Sequence, residues 1–388
     1  MTQKQTRPLR VADIQALPVS FPVDPKDSVT LGVGRTVKRD AVIVKVVTDE
    51  GLTGWGEAHH GRCPGAVAHI VNTTLKSIVM GCDAHDVTGI WDQMYRRQLA
   101  SHGMGAGACL AISGIDMALW DIRARALGVP LYRLLGGSSR PIRAYAGGVS
   151  LGYQDPQSLV EEARAHVEHG YRAVKLRIGD SVANDLQRVA AIRKAFGDDL
   201  VILTDANTAY TLDDAREAMP ALESFAVGWL EEPFPAHDYR SYREARKYSH
   251  LPLAAGENHY TRFEFDRVIE DGSITILQPD LSKTGGITEA LRVAALASTW
   301  KLPIHPHTSM TALSMAASVH FLAAIDNGGY FEADVSRNNL FRDAIADKAP
   351  FSVDVDGFTR PLEGPGIGLE IDEQFLAAHP VIEGPSYV

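Results

Sequence analysis

Cysteine is scarce in this chain of 388 residues. Cys63, Cys82 and Cys109 have no C-x-x-C spacing, and any disulfide scheme leaves one unpaired. That argues against a disulfide framework and fits a reducing, cytoplasmic setting. Long apolar runs are also missing: no stretch reaches the roughly 20 residues that a membrane-spanning helix needs. The opening MTQKQTRPLRVADIQ has basic residues but no apolar h-region, so it does not read as a signal peptide. Basic charge is in deficit, 38 Lys and Arg against 48 Asp and Glu for a net charge of −10. Neither nucleic acid nor an anionic membrane is then an expected partner, and an anionic ligand would need a local positive site. No GxGxxG or GxxxxGK[ST] loop follows the first strand, which lowers the nucleotide-binding open-sheet alternative. Low-complexity tracts are absent too, so a compact chain is expected throughout.

The length exceeds the usual limit of a single core, and predicts two domains or one large barrel with an addition. DAVIVKVVT (40–48) is a β-branched run, and the DEG turn signal (49–51) before Leu52–Trp55 predicts a hairpin. Ile112, Ile115, Leu119, Ile122 and Ala126 recur at helical spacing, and Gly128 and Pro130 end the helix. The glycines of HGMGAG (102–107) have no strand before them and read as a turn. Residues 1–135 are therefore an α+β unit. From about 141 onward short apolar runs (IRAYAGGV, AVKLRI, LVILTDA, VGWLEEP, LPLAAGE, ITILQPD, LPIHPH, YFEADV) alternate with amphipathic stretches such as DAREAMPALESF and TEALRVAALAST. This is βα repetition, and eight such strands predict an α/β fold with a closed, TIM-type (β/α)8 barrel.

Polar residues recur near the carboxyl ends of these strands: Lys175, Asp205, Glu231, Glu257, Asp280, His307 and Glu332, at intervals of 23–30 residues. In a barrel they converge on one mouth, where active sites of this architecture lie. A lone carboxylate at a strand end is more often a helix N-cap than a ligand. Three on adjacent strands, Asp205, Glu231 and Glu257, repel one another unless a cation neutralises them. Oxygen ligands without Cys or His favour a hard ion, Mg²⁺. Lys175 and Arg177 share one face of their strand and flank this cluster; Arg177 reads equally well as a structural ion-pair partner. His307 beside Asp280 makes a dyad in which the carboxylate orients the imidazole. His305, two residues earlier, lies one layer deeper in the barrel or outside the strand, and ranks second as a candidate.

AVKLRIG, LTDAN, WLEEP, GEN, QPDLSKTGGITEA and IHPHTSM, with SGIDMALWDIRARALGVPLYRLLGG before the barrel, together resemble the enolase superfamily and, within it, the mandelate racemase subgroup. The resemblance implies a modified enolase-type barrel at 136–355, an N-terminal capping domain at 1–135, and a C-terminal segment, 356–388, that returns to the cap. It implies one Mg²⁺ per subunit held by Asp205, Glu231 and Glu257, a catalytic His307/Asp280 dyad, Lys175 as the first lysine of a K-x-K motif, and Glu332 as the acid that hydrogen-bonds substrate. Asn207, in LTDAN, joins the substrate-binding set. Homo-oligomers, often octamers, are common in the subgroup. One departure matters: Arg177 stands where racemases carry the second lysine, and an arginine is a poor base.

These readings predict a Mg²⁺-dependent acid-sugar dehydratase. It would remove the proton α to a carboxylate through an enediolate and form a 2-keto-3-deoxy acid. The alternative is a racemase, epimerase or lactone cycloisomerase using the same enolate. Cap loops near 21–37 and 55–65 would cover the site. The second holds His59, His60 and Arg62, and the first Arg35 near Lys38 and Arg39. Such a cap suits a polyhydroxylated acid with a distal carboxylate, an aldarate ahead of an aldonate, although an ordinary solvated loop has the same composition.

Overall fold

The computed structural model describes residues 8–388. Its first layer is an antiparallel sheet of β1 (Val11–Pro22), β2 (Lys38–Thr48) and β3 (Thr53–Ala58), in that order. The β2–β3 pair is the expected hairpin, with Val44 opposite Gly56. Helices α1 (Pro64–Ile70) and α2 (Ala106–Leu127) pack on this sheet. Gly56 lets α2 approach so closely that a Cβ there would lie 2.2 Å from the Gly114 carbonyl oxygen. Ile112, Ile115, Leu119 and Ile122 are buried as their spacing predicts, but Ala126 is exposed in the last turn, just before Gly128 ends the helix at φ 66°.

Seven parallel strands follow: β4 (Ile142–Gly147), β5 (Ala173–Arg177), β6 (Val201–Asp205), β7 (Leu230–Glu231), β8 (Leu253–Ala255), β9 (Ile276–Leu277) and β10 (Phe331–Asp334). Each pairs with the next as far as β9, and β10 returns to β4 with Phe331 opposite Ala144. The remaining position falls in LPIHPH. Pro303 and Pro306 have no N–H to give a ladder, so the segment makes single parallel bridges, Ile304 to Leu277 on one side and to Gly328 on the other. His305 N donates to Leu277 O at 2.9 Å and Gly329 N to Ile304 O at 2.8 Å. The ring thereby closes with eight strand positions, a (β/α)8 barrel.

Helices α3 (Pro156–Glu168), α4 (Val182–Phe196), α5 (Leu212–Ser224), α6 (Tyr239–Ala245), α7 (Thr261–Asp271), α8 (Gly286–Thr299) and α9 (Ala312–Ala324) alternate with the strands. Asp155, Ser181, Thr211 and Thr311 cap four of them with side-chain oxygens, which fixes where each loop beyond a strand end stops. The chain's end returns to the first layer, where Arg35 and Val388 exchange backbone hydrogen bonds of 2.8 and 2.9 Å. Among the described residues no helix is long and apolar enough to cross a membrane.

Glu57 on β3 ties the first layer to the barrel. Its carboxyl accepts from Thr311 Oγ1 at 2.5 Å. Burial, with a smaller contribution from the Asp280 charge, pushes its pKa up to about 8 against the Thr311 hydrogen bond. The folded protein therefore keeps a proton that the unfolded chain releases above its ordinary carboxyl pKa. This contribution is fully present below pH 4.5 and is lost as pH rises through 8. Glu57→Gln should flatten the fall in stability across that range, where one retained proton sets a slope of at most about 1.4 kcal/mol per pH unit. Urea unfolding at pH 5, 6.5 and 8 checks this, and parallel curves for the two proteins would contradict it.

Candidate active site

The barrel brings the seven strand-end residues into one cluster. Asp205 and Glu231 are the last residues of β6 and β7; Glu257, Asp280 and His307 lie just beyond their strand positions; Glu332 is second in β10. Lys175 and Arg177, on one face of β5, find their anions there. Lys175 Nζ, fully buried, lies 2.8 Å from Glu332 Oε1, 2.9 Å from Glu231 Oε1 and 3.4 Å from Asp205 Oδ2. Arg177 pairs with Asp205 and donates to Asn207 Oδ1 at 3.2 Å. Lys283 Nζ lies 3.1 Å from Glu257 Oε1.

His307 Nδ1 is 2.6 Å from Asp280 Oδ2, and its Nε2 is 2.9 Å from Glu257 Oε2. Asp280 also accepts from Ser282 N and Oγ at 2.7 Å and from Ser309 Oγ at 2.8 Å. The carboxylate that orients the imidazole is thus itself held on both oxygens. Glu332 is fixed by the backbone N–H groups of Gly148 (3.1 Å) and Thr308 (3.2 Å).

Burial alone would discharge Lys175, but Glu231 and Glu332 reverse this and hold its pKa well above the ordinary value. Burial likewise opposes charge on Glu332, yet Lys175, His307 and Arg177 bring its pKa down to about 2. Glu231 goes the other way: burial, with Asp205, Glu332 and Glu257 nearby, outweighs Lys175 and raises its pKa to about 7. Glu232 is raised further, by burial and by the Glu257 and Asp205 charges.

Negative charge is therefore in surplus. Asp205, Glu231, Glu232, Glu257, Asp280 and Glu332 face Lys175, Arg177 and Lys283, and Glu232 Oε1 is buried with no partner. In this side-chain arrangement no group of three His, Cys, Asp or Glu among the described residues meets metal-holding geometry. Asp205, Glu231 and Glu257 are each turned onto Arg177, Lys175 or Lys283 instead. The oxygen-only donors and the unneutralised charge nevertheless fit a hard divalent cation.

A cavity of about 530 Å³ opens above the cluster. It is lined by Arg177, Glu257 and His307 below and by His59, His60 and Arg62 from the loop after β3; Asn207 also faces it. His305, the second-ranked histidine candidate from sequence for substrate binding, is away from this cavity, one layer deeper. It packs against Trp229 and Tyr330, with ring centroids 5.1 and 5.7 Å away, accepts from Tyr330 N at 2.9 Å, and lines a separate cavity with Arg140 and Phe358. Two residues of extended chain displace a side chain by about 6.6 Å, enough to take it from the mouth into the barrel. Arg35, Lys38 and Arg39 do not line the active-site cavity either; Lys38 pairs with Asp40 at 3.1 Å.

Sequence reasoning missed Lys283, Glu232, Asn258 and Tyr387, all on the cavity wall. Lys283 had a usable signal, three residues after Asp280 in QPDLSK, and Glu232 adjoins Glu231 in WLEEP. Tyr387 had none, because the bridge between Tyr387 and Thr36 brings it to the site.

Comparison with known proteins agrees with this architecture. Residues 158–375 match the family described as "Enolase C-terminal domain-like", and residues 17–136 match "Mandelate racemase / muconate lactonizing enzyme, N-terminal domain". The chain belongs to the enolase superfamily, in its mandelate racemase subgroup. An arabinonate dehydratase of Saccharolobus solfataricus is 34% identical over 86% of this chain and 88% of its own. A D-galactonate dehydratase of Verminephrobacter eiseniae is 36% identical over 86% and 90%. Among solved structures, an enolase superfamily member from Polaromonas sp. JS666 has a TM-score of 0.95 at 52% identity, covering 98% of this chain and all of that one. A 3,6-anhydro-D-galactonate cycloisomerase from Zobellia galactanivorans reaches 0.86 at 31% (95% and 99% covered). A Streptomyces coelicolor racemase with bound magnesium reaches 0.86 at 29% (96% and 100% covered).

Lys175→Met leaves Asp205, Glu231 and Glu332 without their shared cation. In chelator-treated protein the variant should lose roughly 3–5 kcal/mol of stability, the usual cost of breaking a buried ion pair on one side. Chemical denaturation measures it; a loss below about 1 kcal/mol, the range of an exposed pair, would contradict the role given to this lysine.

Proposed function

We propose that this chain is a Mg²⁺-dependent acid-sugar dehydratase. The observation that carries the reading is the His307–Asp280 dyad set against the carboxylate cluster, with Arg177 where a second base would stand. Supporting it are relatives named as dehydratases at 34 and 36% identity, which place the enzyme among the lyases. Asp205, Glu231 and Glu257 would hold one Mg²⁺, which supplies fixed positive charge against the substrate's carboxylate and 2-hydroxyl. A structural relative at 29% identity contains magnesium.

The protein's own groups do the rest. Lys175 sits where charge develops on the substrate carboxylate when the α-proton leaves, and its three carboxylate partners hold it charged and in place. In the structure Nε2 of His307 pairs with Glu257; with Glu257 turned away to hold the metal and Nδ1–H donating to Asp280, Nε2 would be the atom that takes the α-proton. The imidazolium then protonates the departing 3-hydroxyl. Water is lost, and the resulting enol becomes a 2-keto-3-deoxy acid. One histidine serves both transfers if proton and hydroxyl leave from the same face. Glu332, anchored by Gly148 and Thr308, would orient the substrate's oxygens.

The same enolate in a racemase or epimerase would need a second proton carrier on the opposite face, and Arg177, with Asp205 beside it, is a poor base. A one-base cycloisomerisation remains the alternative, supported by the cycloisomerase at 31% identity.

His307→Asn should lower kcat/KM for keto-acid formation by about 10²–10⁴, the usual contribution of a positioned general base, while Mg²⁺ binding by calorimetry stays at the wild-type value. Wild-type keto-acid production by the variant would sink the proposal.

A further inference from the structure

A second cavity, of about 310 Å³, opens at the end of the barrel opposite the mouth. It sits where strands begin: Ile142 and Arg143 open β4, and Gly329 and Tyr330 precede β10. A hollow of this volume is in the range that holds small-molecule ligands.

His305 is set into its wall, 8% exposed. The ring packs against Trp229 and Tyr330, and a Cβ at Gly329 would lie 2.3 Å from its Cε1, so only glycine leaves it room there. Tyr330 N donates to Nδ1 at 2.9 Å and is the ring's one hydrogen-bond partner among the described residues. A backbone N–H can only donate, so the neutral imidazole carries its proton on Nε2. Burial keeps the ring neutral by bringing its pKa down to about 4. A buried donor without an acceptor is costly, and an oxygen brought by a ligand is the natural partner for this one.

Two cations share the wall. Arg140 uses Nη2 on the carbonyls of Leu322 and Ile325, which leaves its Nε and Nη1 uncommitted. Arg143 is exposed and lies over the Phe358 ring at 5.9 Å, and Phe358 stands opposite it where Phe358–Thr359 pairs with β4. No carboxylate lines the cavity: Asp326 and Asp356, each two residues from a wall residue, are exposed and outside it. In a chain with a net charge of −10, this is a local positive site, and it selects an anion. The three donor groups come from separate segments, residues 140–143 and His305. A phosphate has oxygens on all sides with which to meet them, whereas a carboxylate has two in one plane.

We propose that this cavity binds a phosphate group, free or on a small organic ester, through Nε2–H of His305 and the guanidinium groups of Arg140 and Arg143. Leu322 and Phe358 offer an ester's organic part an apolar surface. The site is independent of the reaction at the mouth, and it gives His305 a role that the substrate cavity does not.

Calorimetric titration of inorganic phosphate and of glycerol 3-phosphate into the full chain, with Mg²⁺ and after chelation, tests the proposal. One phosphate should bind per chain with a Kd below about 1 mM, and about tenfold or more weakly to Arg143→Ala and to His305→Phe, as expected for the loss of a hydrogen bond to a charged group. Binding should survive chelation, because the carboxylate cluster lies at the other end of the barrel. Tighter binding of glycerol 3-phosphate supports the site as one for an ester, and equal affinities support it as one for the free ion. Arg143→Ala removes an exposed side chain and leaves the fold intact, so it reads the site even if His305→Phe does not fold. Phosphate that binds only with Mg²⁺, binds Arg143→Ala as tightly as wild type, or does not bind at 10 mM, about ten times the expected Kd, overturns the proposal.

Discussion

Lys175 is fully buried among Asp205, Glu231 and Glu332, and the mouth of the barrel depends on that contact. Successive strands end in carboxylates that converge because the ring closes. At an effective dielectric constant of about 20, two unit charges 4 Å apart interact by about 4 kcal/mol. A cluster of such groups survives burial only where cations are threaded through it. Lys175, Arg177 and Lys283 take that role, each against a different carboxylate or group of carboxylates. They do not balance the cluster, and the unpartnered Glu232 oxygen and the raised pKa of Glu231 are where the surplus shows.

The cavity therefore has two ends of different chemistry. Its floor is charged and suits a step in which negative charge grows on a bound carboxylate. Its cap side is lined by uncharged imidazoles and by Leu31, Val33 and Leu110. Asp280, held by Ser282 and Ser309, keeps the His307 ring in one orientation, and Thr311 with Glu57 ties the following loop to the first sheet. The charged floor and the cap-side wall of the cavity thus belong to different layers of the fold, joined through buried polar contacts such as Thr311–Glu57.

Much of this was legible in the sequence because the barrel is a periodic object. Once βα units repeat, residues at equivalent strand ends must meet, and Asp205, Glu231, Asp280 and Glu332 could be placed together by counting. The failures come from what periodicity does not encode. His305 and His307 differ by two residues, and extended chain alone put one in the mouth and the other against Trp229 and Tyr330. Two prolines reduced the seventh strand position to bridges on either side of Ile304. Ala126 continued a helical stripe in sequence but lies exposed at the end of α2. Tyr387 reaches the cavity through pairing across nearly the full chain length, which no local pattern announces. The composition of the 55–65 loop marked it for the site, but the backbone N–H groups of Gly61 and Arg62 that donate to Nδ1 of His59 and His60 are invisible in sequence.

In the proposed reaction His307 removes a proton α to a carboxylate, and a hydroxyl then leaves from the same face. Incubating the enzyme with Mg²⁺ and a panel of acid sugars in D₂O, with products followed by NMR, tests it most directly. The expected product is a 2-keto-3-deoxy acid carrying one deuterium at C3, placed there when the enol ketonises. A recovered substrate or isomer deuterated at C2, with no keto acid from any member of the panel, would contradict it.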